Sequence, residues 1–119
     1  MKIQKFEDLI VWQKSIVITV KLYRHFEKHP DFGYSNQIRR ASVSISNNIA
    51  EGSEYNNNKQ FIRFLKIAKG SCAEVRSMLV LCKELGFSDE IEIKESYNLT
   101  IEISQNLSNF IKYLSEKIK

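Results

Sequence analysis

From Phe61 to Cys82 apolar side chains return at steps of four and three: Phe61, Leu65, Ala68, Cys72, Val75, Leu79 and Cys82. Three heptads of that spacing fit one face of a long α-helix, whereas a strand would require alternation by two. Phe64, Ile67, Met78 and Leu85 flank the stripe. Asn57 followed three residues later by Gln60 predicts the helix start, and Gly86 its stop, giving a helix over residues 58–85. Such a rod cannot hide its apolar face alone. The remaining chain must supply partners for it.

Three further segments carry the same period. Leu9, Trp12, Ile16, Thr19, Tyr23 and Phe26, widened by Gln13, Val17 and Val20, predict a helix over residues 8–28 with Asp8 as its cap. His29-Pro30-Asp31-Phe32-Gly33 would end it. Ile38, Ser42, Ile45 and Ile49 predict a second helix over residues 35–51, capped by Ser35 and stopped by Gly52. Ser88, Asp89 and Glu90 open a fourth over residues 89–118, with Ile93, Tyr97, Thr100, Ser104, Leu107, Ile111, Leu114 and Ile118 on one stripe, widened by Ile103 and Phe110. Only four Gly and one Pro in 119 residues leave too few turns for a sandwich or barrel of short strands. The sequence therefore predicts an all-α fold: one domain over residues 1–119, an up-down-up-down antiparallel four-helix bundle.

The formal charge is +4, and its position matters more than its size. Between Ser35 and Arg76 stand Arg39, Arg40, Lys59, Arg63, Lys66, Lys69 and Arg76, opposed by Glu51, Glu54 and Glu74. That excess equals the whole surplus of the chain. At about 100° per residue, Lys59, Arg63 and Lys66 fall in one narrow arc of the third helix, opposite its core stripe, and Lys69 and Arg76 extend the arc to one side. Two readings fit: a solvated polar face, or a surface on which all seven cations, Arg39 and Arg40 included, hold nucleic-acid phosphates without reading sequence. Tyr34 and Tyr55 are the loop aromatics available for stacking on bases.

The second helix is built from Ala41, Ser42, Ser44, Ser46 and Ala50, small residues that let another backbone approach. Val43 and Ala50 lie off its main stripe, so the helix touches something on more than one side, either within a lone bundle or between subunits. At its end Asn48 reads as a partner for helix-end or loop backbone, Glu51 either as a partner for Lys59 or Arg63 or as an exposed acid tolerated by solvent, and Gly52 as the turn.

No catalytic set emerges. His25 and His29 are spaced for one helix face but lack a third metal ligand, and read as polar closure of a helix end. Lys69-Gly70-Ser71 lies inside a helix without the preceding glycines of a phosphate loop. Cys72 and Cys82 sit about 15 Å apart along one helix, too far to bridge, and read as reduced core cysteines. No run is apolar for long enough to span a bilayer, and Met1–Phe6 lacks a signal peptide's apolar stretch, so the expected compartment is the cytoplasm.

Three strings carry a resemblance. Phe6-x-Asp8-Leu9-x-Val11-Trp12-Gln13 is the first. Gln37-Ile38-Arg39-Arg40-Ala41-x-x-Ser44-Ile45-x-x-Asn48-Ile49-Ala50-Glu51-Gly52 is the second. Phe61-x-Arg63-Phe64-Leu65-x-x-Ala68-x-Gly70-Ser71-x-x-Glu74 is the third. Together they resemble the bacterial four-helix-bundle family of the 23S rRNA-intervening-sequence proteins, related to the accessory variability determinant of diversity-generating retroelements. The resemblance implies a homo-oligomer, a ring of five subunits with a basic surface, no cofactor and no enzymatic activity. It also implies RNA or DNA as a partner, with a reverse transcriptase for the retroelement relatives. Arg76 departs from the family pattern, where an acid is common, and makes the middle of this chain more basic. A protein–protein adaptor without direct nucleic-acid contact is the alternative reading.

Overall fold

In the computed structural model, which describes residues 5–88 and 90–118, four helices lie side by side in a body of 48 × 20 × 19 Å. They are α1 (Ile10–His25), α2 (Phe32–Ser53), α3 (Asn58–Leu85) and α4 (Glu90–Ile118), with a 3-10 turn at Phe6–Asp8 before them. Among the described residues there is no strand. Helices next to each other in sequence pack together, and α1 closes the square against α4, as an up-down-up-down bundle requires. Residue pairs along the α1–α4 seam show the antiparallel register directly. Lys14 meets Glu102 at 2.6 Å, Lys21 meets Glu95 at 3.2 Å, and His25 reaches Glu92.

The third helix forms as its stripe demands. Asn57 is the N-cap and accepts from the Gln60 amide at 3.1 Å, and Gly86 closes the C-terminus at φ 65°, a left-handed conformation that glycine adopts without a Cβ penalty. Phe61, Leu65, Ala68, Cys72, Val75, Leu79 and Cys82 are all buried. They meet Ile38, Ile45 and Ile49 of α2 and Ile93, Ile103 and Leu107 of α4 in one continuous core.

Elsewhere the boundaries shift. Asp8 does not cap α1; it belongs to the 3-10 turn, and Leu9 occupies the N-cap position with no side-chain bond. The buried face of α1 is Val11, Ser15, Ile18 and Leu22, rotated by about 100° from the expected Trp12, Ile16, Thr19 and Tyr23 stripe. The reason is polar. Ser15 breaks the true stripe in sequence, yet it is fully buried, its hydroxyl donating to the Trp12 carbonyl at 2.7 Å. Thr19 Oγ1 bonds the Ser15 carbonyl at 2.8 Å and reaches across to the Ser42 carbonyl of α2 at 3.2 Å, and Ser42 and Ser46 are buried as well. Much of the small-residue character of α2 is thus used inside the chain.

The second helix begins at Phe32 rather than Ser35, because Asp31 Oδ1 accepts from the Tyr34 amide at 3.0 Å and takes the capping role. It ends at Ser53, so Gly52 is not the turn. Gly52 is buried where α2 crosses α3: a Cβ there would stand 2.7 Å from Phe64 Cβ and 3.0 Å from Phe61 Cδ1. In α4, Ile93, Thr100, Ile103, Leu107 and Leu114 are buried as expected, but Ile118 is exposed and Ser96 completes the face. Of the acids expected in its first turn, Glu90 is there, while Asp89 lies outside the described residues, as do Met1–Gln4.

Candidate nucleic-acid interface

The outer face of α3 is fixed by the phase of its core stripe. Because Leu65, Ala68 and Cys72 point inward, Lys59, Arg63 and Lys66 must point out, and all three are exposed. With Ile62 and the exposed Ile67 they line a shallow, open groove of about 580 Å³. Three cations thus stand around an apolar floor. None of them forms an ion pair among the described residues, and the first turn of α3 carries no acid. Such an arrangement can take phosphate oxygens on its rim and the flat, less polar part of a nucleotide on its floor.

The other four cations of the expected surface do not join this groove. Lys69 is exposed and Arg76 half-buried on the flank of α3 that turns toward α4, where Arg76 lies close enough to Cys72 to favour its thiolate. Arg39 leans the opposite way, its guanidinium 4.1 Å above the ring of Tyr23 on α1 and its Nε buried without a hydrogen-bond partner. Arg40 borders a polar hollow between α2 and α3 with Gln37, Ser44, Ser71 and Glu74. Gln37 bonds Glu74 at 3.3 Å, level with that hollow, which places Arg40 some three helical turns, about 15 Å, from Arg63.

The residues read as architecture also separate. Asn48 bonds neither a helix end nor a loop; its Nδ2 donates one turn back, to the Ser44 carbonyl at 2.8 Å and the Ser44 hydroxyl at 3.0 Å. Ser44 and Ser71 then share a bond of 2.9 Å that ties α2 to α3. Glu51 is exposed and forms no ion pair with Lys59 or Arg63. Gly70 lies on the open face of α3 with nothing within 4 Å of where its Cβ would be.

Of the two loop aromatics, Tyr34 is excluded. It is buried, its hydroxyl donates to the Met78 carbonyl, and its ring packs against Phe26 and Phe87. Burial pushes its pKa well above the usual phenol value. Tyr55 is different. Its ring stacks on Phe64 with centroids 5.4 Å apart and planes 18° from parallel, while the residue stays 46% exposed. The two histidines likewise diverge. His25 spans Glu92 and Ser88 on the α4 side, and His29 Nδ1 accepts from the Asp31 amide at 3.1 Å. Sequence reasoning missed this α1–α4 seam, although the spacing of Lys14, Lys21 and His25 against Glu92, Glu95 and Glu102 is its visible trace. Among the described residues no helix is long and apolar enough to cross a membrane.

Comparison with known proteins adds three findings. A family model described as 23S rRNA-intervening sequence protein matches residues 7–109. A crystal structure of a protein of unknown function from the S23 ribosomal protein family of Bacteroides thetaiotaomicron is similar, with a TM-score of 0.81 and 27% identity. The similarity covers 87% of this chain and 99% of that one. No curated protein matches the chain.

Proposed function

We propose that this chain, which belongs to the 23S rRNA-intervening sequence protein family, is a non-enzymatic, self-associating protein of the cytoplasm that holds nucleic-acid backbone on the outer face of α3. The observation that carries the reading is the groove of Lys59, Arg63 and Lys66, three unpaired cations in one arc with apolar residues between them. Their position depends only on helical phase, so every copy presents the same stripe. Binding of this kind reads charge and spacing rather than base sequence. A protomer offering three such contacts binds weakly, so assembly, a ring of five in the form the family resemblance implies, is the means of raising affinity.

Fluorescence anisotropy with labelled RNA and DNA across a salt series tests the reading. Binding should weaken steeply with salt, and Lys59→Gln, Arg63→Gln and Lys66→Gln should each flatten the slope by somewhat under one unit. Affinity that ignores salt, or a triple variant that binds as well as the parent, rejects it. An adaptor role is favoured by a separate observation, the apolar side chains exposed on α1, among them Ile10 at 64% and Val17 at 50%. Capture of a stoichiometric protein free of nucleic acid would support that alternative.

A further inference from the structure

We infer that Tyr55 is a base-stacking platform beside the basic groove, which makes single-stranded nucleic acid, rather than duplex, the preferred occupant of this face. The inference rests on the reading of the groove as a phosphate-binding stripe and adds what the strand must expose to bind it.

Tyr55 follows the end of α2, its amide donating to the Gly52 carbonyl at 3.3 Å. Gly52 brings α2 so close to α3 that Phe64 lies against the glycine, and Phe64 in turn supports the Tyr55 ring nearly flat. The close approach at Gly52 therefore builds the platform. Phe64 stacks against one face of the tyrosine, and the residue is still 46% exposed, which leaves surface for a further partner. On α3, Phe64 adjoins Arg63 in sequence and lies one turn before Ile67, about 60° around the helix from it. By helical phase the aromatic pair thus lies on the α2 side of the groove of Lys59, Ile62, Arg63, Lys66 and Ile67, next to its Ile67 edge.

Two features select a single strand. A flat aromatic ring gains from a nucleic acid only when a base face is free, and in a duplex those faces are stacked on one another. The apolar side chains between the cations suit unstacked bases and sugar better than two closely spaced rows of phosphate. Glu51 and Glu54, exposed where α2 ends, disfavour phosphate at that end of the helix. The strand's phosphates are left the Arg63 side, and its base the tyrosine.

The test uses the full chain with a fluorescein-labelled oligouridylate, an oligo(dT) of equal length and a duplex of that length, each titrated at low salt. The parent protein should bind both single strands more tightly than the duplex. Tyr55→Ala should weaken single-strand binding roughly five-fold or more and leave duplex binding unchanged, while Tyr55→Phe, which keeps the ring and its support, should bind like the parent. Thermal melts of the variants separate lost stacking from lost folding, and Tyr55→Phe keeps the inference testable if Tyr55→Ala melts early. Equal affinity for duplex, or a folded Tyr55→Ala that binds single strands normally, overturns the stacking role. If Arg63→Gln still weakens every ligand in that case, the phosphate-stripe reading survives alone. If the parent binds none of the three, both fall.

Discussion

Gly52 and Gly70 both stand inside long helices, and the same substitution should move stability in opposite directions at the two positions. At Gly70 nothing lies within 4 Å of an added Cβ, so only backbone entropy is at stake, and Gly70→Ala should stabilise by about 0.5–1 kcal/mol. At Gly52 the Cβ would stand 2.7 Å from Phe64 Cβ, which is anchored to the α3 backbone and cannot swing away. Overpacking there outweighs the entropy gain, and Gly52→Ala should cost about 1–3 kcal/mol and disturb the Tyr55–Phe64 stack. Urea unfolding midpoints of the two variants check both signs; a stabilised Gly52→Ala would refute the close approach. Cys72 supplies a pH test. Burial raises its thiol from 9.0 to about 11 against the smaller opposing pull of Arg76. A raised thiol pKa favours the protonated, folded form, so the stability it holds is complete below about 9 and is lost as pH climbs through about 11. Cys72→Ala should melt lower at neutral pH, through the cavity, yet lose less additional stability between those two values than the parent does.

Among the elements, α1 is the one held most by polar contacts at its seams. Along α4 it has the pairs of Lys14, Lys21 and His25, and Lys14 also bonds Asn106 at 2.9 Å. Its contact with α4 is the least extensive of the four helix–helix interfaces. His25→Ala and Lys14→Ala should each lower stability by about 0.5–1.5 kcal/mol, and amide exchange should quicken in α1 before α3. Uniform exchange across all four helices would show the seam to be no weaker than the core. The same element explains where sequence reading succeeds and fails. The α3 stripe was legible because its apolar residues keep to one side and both ends carry cap residues. In α1, Ile10, Val11, Trp12, Ile16, Val17, Ile18, Val20 and Leu22 point all round the axis, so periodicity admits several faces and the fit of Ser15 against α2 decides between them. At the start of α2, Asp31 and Ser35 are both competent caps, and Gly33 imitates a turn. The arc of Lys59, Arg63 and Lys66 was legible for the same reason as α3, since it follows from phase alone. The dispersal of Arg39 and Arg40 was not, because Tyr23 and the α2–α3 hollow come from other helices.

For the whole molecule, cations line the outside of α3, while a separate strip of apolar surface lies at the α1–α2 side. There Val20 and Tyr23 are exposed, with the Arg39 guanidinium over the Tyr23 ring, and Ile16, Val43 and Ala50 are half-buried. A second copy seated on this strip would cover apolar side chains without masking the α3 groove, so association and nucleic-acid binding can add rather than compete. Val20→Glu places a charge in that strip, on a solvent-facing position where the lone bundle tolerates it. Light scattering should then give the 13.9 kDa protomer in place of an assembly, with the helical melt preserved. Affinity for nucleic acid and the salt slope should fall together even though no cation has been touched, because fewer phosphates are neutralised per particle. If Val20→Glu dissociates the particle but leaves the slope unchanged, each protomer binds by itself and assembly serves another end. If the parent already scatters as a single protomer, the α1–α2 strip has another occupant.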